Sequence, residues 1–271
     1  MNADVDYEVE YNNRARVPEN PAIVAGWARD ALAYREAHPG RVLPYGAGER
    51  QRIDLFSGDG TGPIVFFIHG GYWQALDGSF FSHLAGGLNA HGIDVAVPSY
   101  DLCPTVSVGD IIEQIRTASR ALAKLGRPLV VSGHSAGGHL AACMLATDWR
   151  ALDGALPEDL VTAAYAISGL FDLRPLVPTS INKALTLDDV SARAVSPLFW
   201  KPPARGTLDS VVGGNESAEY FRQSRIIVDA WGTDIATRFG SIPDANHFTV
   251  IAPLADPGSQ MTLRLKQLAG R

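Results

Sequence analysis

The stretch whose reading decides the fold is Val131–Leu140, VSGHSAGGHL. It sets Ser135 between Gly133 and Gly137 in a G-x-S-x-G pattern. The pattern alone reads equally well as a tight glycine turn, and it gains meaning only between a strand and a helix. That context is present. Leu129–Ser132 reads as a strand, and GGHLAACMLA after the serine reads as a helix. Gly133 and Gly137 then leave room where the chain doubles back and strand and helix touch. Gly138, Ala141 and Ala142 keep the start of the helix slim. Ser135 is held clear of the sheet at a helix N-terminus, where unpaired N–H groups favour developing negative charge. The expectation is a nucleophile.

A serine hydroxyl needs a base, and the base needs a partner that orients it. After such an elbow the chain order is serine, acid, histidine. Of the seven histidines, His38, His69, His83, His91 and His134 precede Ser135. His139 shares the helix that follows and faces away from the turn. His247 remains, in SIPDANHFTVIAPL after the last strand-like run and before the final helix. The acid should follow the penultimate strand, LDSVVGG, and Glu216 does so at once. Asp209 lies earlier in that strand, Glu219 inside the next helix, and Asp244 in the histidine's own loop. A competing role for Glu216 is to cap the helix near Ser217.

Acyl transfer also requires donors for the oxyanion. Ala136, after the nucleophile, is one candidate. Gly71 and Tyr72 are the others, in the loop HGGYW (His69–Trp73) that follows a buried strand. His69 is expected to hold this loop by hydrogen bonds. Tyr72, Trp73, Tyr100 and Phe171 are expected to wall an aromatic pocket. Arg174 and Lys183 are the cations available for a substrate carboxylate.

The rest of the chain supplies a matching scaffold. Ile64–Ile68 is apolar at every position, which suits a parallel strand covered on both faces. GIDVAVPSY, RPLVVSGHS, VTAAYAISGLF and LDSVVGG follow the same style. RQRIDLF alternates, and is expected to be the antiparallel edge. Helices are expected at PAIVAGWARDALAYREA, Ser79–Ala90, Val108–Leu125, Gly137–Thr147, Ala218–Trp231 and Pro257–Leu268. Strands alternating with helices predict an α/β fold with a mostly parallel central sheet and helices on both faces. No repeat or long linker divides the chain, so one domain, 1–271, is expected. Within it, 174–201 reads as a lid-like excursion over the top of the sheet, or as an ordinary surface connection.

Composition narrows the function classes. A net charge of −6 without a basic run argues against a nucleic-acid partner. Cys103 and Cys143 match no disulfide framework or zinc motif and read as small core hydrophobes. The acidic, polar N-terminus has no signal-peptide pattern, and no apolar run reaches the ~20 residues that span a bilayer. The expectation is a cytoplasmic protein with no membrane partner. The oligomeric state is not readable.

Taken together, these residues resemble the α/β-hydrolase superfamily, and within it the kynurenine formamidase (arylformamidase) group and its esterase relatives. HGGYW and GHSAGGHL carry the likeness most specifically. YNNRARVP, YGAGERQRIDLF, SGLFDLRPL with Ser196–Pro197, GGNESAEYFRQS and NHF extend it over most of the chain. The resemblance implies a serine hydrolase that needs no metal or other cofactor, with Ser135, Glu216 and His247 as its triad. One departure is that this group usually carries aspartate where Glu216 stands. The expected substrate is a small-molecule amide or ester: an N-formylkynurenine-like aryl formamide first, a small acyl ester second. A reading from another class is a non-catalytic binding protein on a hydrolase fold, which filled triad positions disfavour.

Overall fold

A computed structural model describes residues 5–58 and 60–270. The described residues form an eight-stranded sheet: β1 (Arg41–Pro44), β2 (Arg52–Phe56), β3 (Ile64–Ile68), β4 (Val95–Pro98), β5 (Leu129–His134), β6 (Val161–Ile167), β7 (Thr207–Gly213) and β8 (Ala236–Ile242). Their order across the sheet is β1-β2-β4-β3-β5-β6-β7-β8. β2 is antiparallel to both β1 and β4, and every other pairing is parallel. The expected α/β architecture is therefore present.

Alternation along the central strands feeds two cores. Ile64, Phe66 and Ile68 face one side, and Val65 and Phe67 the other. The first side is covered by α2 (Val108–Ala123), α3 (Ala136–Leu145) and α4 (Ala218–Trp231). The second is covered by α1 (Asn20–Ala37), the short helix Ala85–Asn89 and α5 (Gln260–Leu268). Each large apolar side chain buried this way contributes about 1.5–3 kcal/mol. α2 starts on a capping box, with Ser107 and Asp110 each bonding the other's backbone N–H. Among the described residues, no helix is long and apolar enough to cross a membrane.

Two expectations are corrected. RQRIDLF is not the edge: β1 pairs outside it and takes that place. Ser79–Ala90 is not one helix either. It is two 3-10 turns, Gly78–Phe80 and Ser82–Leu84, before Ala85–Asn89. The chain is pinned too closely to its neighbours there for a regular helix. Arg35 reaches the Ser79 carbonyl and the Ser82 hydroxyl, and Leu254 O would lie 2.2 Å from a Cβ on Gly87.

The span 174–201 forms a chain of short elements: 3-10 turns at Arg174–Leu176 and Pro197–Phe199, and helices Asn182–Leu185 and Asp189–Ala194. The carboxyl ends of β3, β5, β6 and β7 lead directly into the residues singled out above, where an open α/β sheet places its ligands.

Candidate active site

Ser135 sits between β5 and α3 with φ 57° and ψ −117°. A non-glycine residue costs energy in this region, and it is kept there only where its surroundings over-determine it. The surroundings do so through close approach. A Cβ on Gly133 would lie 2.2 Å from Gly137 O, and one on Gly137 would lie 2.0 Å from Ile68 O. Strand β5, the start of α3 and the end of β3 therefore touch backbone to backbone. Ser135 N–H is tied to Ile167 O at 2.8 Å. The result is a fixed elbow with the serine side chain at the N-terminus of α3.

The HGGYW loop lies against this elbow. A Cβ on Gly70 would sit 3.0 Å from Ser135 Cβ. Gly71, Tyr72 and Trp73 all take left-handed backbone, φ 110°, 50° and 58°. Anchors on each side hold this turn. The Tyr72 hydroxyl donates to Tyr11 O at 2.7 Å, and Trp73 O accepts from Cys103 N at 2.8 Å. His69 bonds Gly70 O through Nδ1 at 2.7 Å and stacks on Tyr100 at 4.2 Å. Burial pushes the His69 imidazole down to about 4, so it stays neutral and structural.

Glu216 and His247 form the expected pair. Glu216 Oε2 lies 2.6 Å from His247 Nδ1, and the carboxylate is wholly buried. Its other oxygen accepts from Gly213 N at 2.7 Å and from the Ser168 hydroxyl. Glu216 is therefore held at three points and does not serve as a helix cap. The alternatives are otherwise engaged. Asp209 is paired with Arg264 at 2.7 Å, Glu219 with Arg222 at 2.7 Å, and Asp244 is exposed. His139 is buried and bonded to Val195 O at 2.7 Å, away from the turn.

A cavity of about 880 Å³ brings Ser135, His247, Gly71 and Tyr72 together. His134 also lines it, its ring 4.7 Å from that of His247. Burial, reinforced by the neighbouring His247, lowers the His134 pKa well below the usual range. His134 therefore adds no competing positive charge beside the candidate base.

The expected aromatic pocket is only partly correct. Tyr72 lines the cavity. Trp73, Tyr100 and Phe171 are fully buried in the core and do not. Trp73 meets the edge of His139, Tyr100 bonds His69 O at 2.9 Å, and Phe171 packs against Gly169. The expected cations are also displaced. Arg174 is committed to Asp172 at 2.8 Å and stacks over Phe199, and Lys183 does not line the cavity.

In their place stands a wall that was not anticipated. The N-terminal run Tyr11–Arg14 faces the cavity, with Ser180 and Ile181 beyond it. Glu8 joins these two parts, accepting from Ser180 N and Oγ, each at 2.6 Å. Arg14 lines the cavity with no ion-pair partner for its guanidinium among the described residues. Ser168, too, was missed. Its trace in the sequence was a small polar residue directly after the run Ala163–Ile167. Among the described residues no three His, Cys, Asp or Glu side chains converge as a metal-ligand set.

Fold and geometry agree with the sequence relationships. The profile of the alpha/beta hydrolase family matches residues 65–268, and the chain belongs to this family of enzymes. It is a hydrolase. Its relatives include a kynurenine formamidase from Salmo salar, 29% identical over 84% of this chain and 81% of that protein. The kynurenine formamidase of Drosophila melanogaster is 30% identical over 83% and 80%. A crystal structure from Silicibacter sp., provisionally named a thioesterase, superposes with a TM-score of 0.83 at 38% identity, covering 96% of this chain and 98% of that one.

Proposed function

We propose that this hydrolase cleaves an aryl formamide of the N-formylkynurenine type, with Ser135 as nucleophile, His247 as general base and acid, and Glu216 as its orienting carboxylate. The observation that carries the reading is the buried Glu216–His247 contact of 2.6 Å in the cavity that Ser135 lines. With Nδ1 on the carboxylate, Nε2 is the ring nitrogen left for the serine proton. His247 takes that proton as Ser135 Oγ attacks the carbonyl carbon. The N–H groups of Ala136, Gly71 and Tyr72 receive the oxyanion. His247 then protonates the leaving nitrogen, the C–N bond breaks, and water repeats the sequence on the acyl-enzyme. Arg14 is placed to meet a substrate carboxylate. The span 174–201 contributes Ser180 and Ile181 as the lid-like part of the wall.

The formamidase relatives favour this substrate class. A small acyl ester is the second reading, favoured by the Silicibacter chain and open to the same machinery. A comparison of kcat/KM on N-formylkynurenine and phenyl acetate separates them. Turnover of the formamide at or above the ester rate is expected. Rapid ester hydrolysis with no formamide cleavage would establish the second reading instead.

A further inference from the structure

The cavity has an apolar corner that the mechanism above leaves unused. Asn20, Val24 and Trp27 line the cavity at i, i+4 and i+7 along α1, so one stripe of that helix faces it. Leu76, after the oxyanion loop, and Phe248, after His247, line it too. Val24, Leu76 and Phe248 pack on the second core yet stay half-buried, which leaves apolar surface turned to the cavity.

This corner is held rigidly. Leu76 takes left-handed backbone at φ 72°, a conformation that is rare for a bulky side chain. Arg50 Nη2 donates to its carbonyl at 2.6 Å and keeps it there. Trp27 is 6% exposed, and its ring is braced by Phe81 at 5.3 Å and by Phe248 at 6.0 Å. A ligand therefore meets walls already in place and does not bear the cost of ordering them.

The rings around His247 indicate which part of a substrate comes here. Tyr220, His134 and Phe248 lie 4.6, 4.7 and 5.9 Å from its imidazole. Tyr220 is fully buried and His134 is polar, so Phe248 is the apolar ring on the cavity side. In acyl transfer the group beside the histidine is the leaving group, because the imidazolium must reach it with a proton. A formyl carbon carries only a hydrogen, so the bulk of an aryl formamide lies on that side.

We propose that Val24, Trp27, Leu76 and Phe248 form the subsite for the aromatic ring of the leaving group and set a preference for aryl over alkyl leaving groups. The proposal rests on the mechanism and the aryl substrate class proposed above. Trp27 and Phe248 present ring surfaces to the substrate ring, and Val24 and Leu76 close the corner with aliphatic contact. The ring is held here, and a carboxylate on the same leaving group is held by Arg14.

The test fills the corner from a half-buried helix position, with Val24→Phe, and reads ratios of kcat/KM. Phenyl acetate against methyl acetate varies the leaving group; phenyl acetate against phenyl butyrate varies the acyl group. Comparison of each ratio with wild type cancels intrinsic reactivity. The phenyl-to-methyl ratio should fall at least about tenfold, the discrimination an apolar pocket exerts by size. The acetate-to-butyrate ratio should stay within about twofold. Aniline should inhibit methyl acetate hydrolysis competitively in wild type, with a Ki raised about tenfold in the variant. Phe248→Leu should lower the phenyl-to-methyl ratio by a smaller factor, and it carries the test if Val24→Phe does not fold. An unchanged phenyl-to-methyl ratio would overturn the proposal. So would a shift confined to the acetate-to-butyrate ratio, which would make the corner an acyl pocket. A wild type that cleaves phenyl acetate but no formanilide removes the formamidase reading, and the ester ratios still decide the subsite. A wild type active on formanilide whose variants keep the wild-type ratios removes the subsite alone.

Discussion

The elbow and the outer wall of the cavity are built in opposite ways. At the elbow, neighbours in sequence do most of the work. Ser135, Gly133 and Gly137 are two residues apart, and their strain and close approach are local. The wall is assembled at long range. Asn13 bonds Tyr220, Glu8 bonds Ser180, and Tyr11 bonds Glu219 and Gln223, pairs separated by more than a hundred and seventy positions. The proposed nucleophile is thus fixed by backbone geometry, and the outer surface of the cavity by side chains from distant segments. Changes at the elbow should abolish turnover with any substrate. Changes in the wall should alter which substrate is preferred.

The largest expected effect is at Ser135. Ser135→Ala should lower kcat by about 10³-fold or more on amide and ester alike, with a folded chain by circular dichroism. Near-normal turnover would break the comparison at its root. Glu216→Gln should cost about 10²–10⁴-fold in kcat, because the amide no longer orients and stabilises the His247 imidazolium. Asp244→Asn, on the exposed neighbour, should leave kcat unchanged. If only the Asp244 variant lost activity, the acid would be misassigned.

Gly71→Ala should come next. Its Cβ would lie 2.3 Å from Ala75 O at φ 110°, so the loop must move. A displaced oxyanion donor costs about 10²–10³-fold in kcat. In the wall, Arg14→Gln should raise KM about tenfold for a carboxylate-bearing formamide, consistent with loss of one charge-assisted contact of ~1.5 kcal/mol. Formanilide, which has no carboxylate, should be unaffected. Equal KM changes on both would mean that Arg14 shapes the wall without reading charge.

The smallest effect is on stability. Burial pushes His69 and His139 down to about 4, below the ordinary value of 6.5. The unfolded chain therefore binds more protons than the folded one between those values. Stability is at its full value above pH 6.5 and falls as the pH drops towards 4. Thermal melts should show Tm level from pH 7 to 8 and declining below pH 6.5. His139→Gln should flatten part of that decline.

The same contrast explains what the sequence disclosed. The buried strands, the elbow and the contact of Glu216 with His247 were legible because each follows from a local pattern: an unbroken apolar run, a paired glycine, a loop after a strand. Glu216 could be selected because it stands immediately after β7. Trp73, Tyr100 and Phe171 were misplaced because an aromatic beside a functional loop packs inward as readily as outward, and only the three-dimensional neighbours decide. Here His139, His69 and Gly169 provide an interior for each. Arg174 was mistaken for a free cation because its partner Asp172 is a loop neighbour whose geometry the sequence does not display. The role of Tyr11–Arg14 was invisible, since nothing local to that polar run indicates that it crosses to α4.

The central claim is that Ser135 is the nucleophile of this hydrolase, activated by His247. Labelling with a fluorophosphonate, followed by intact mass and peptide mapping, tests it most directly. One phosphonate on Ser135 in the wild type is predicted, with none in Ser135→Ala and markedly slowed labelling in His247→Ala. An unlabelled wild type, or an adduct on any other residue, would contradict it.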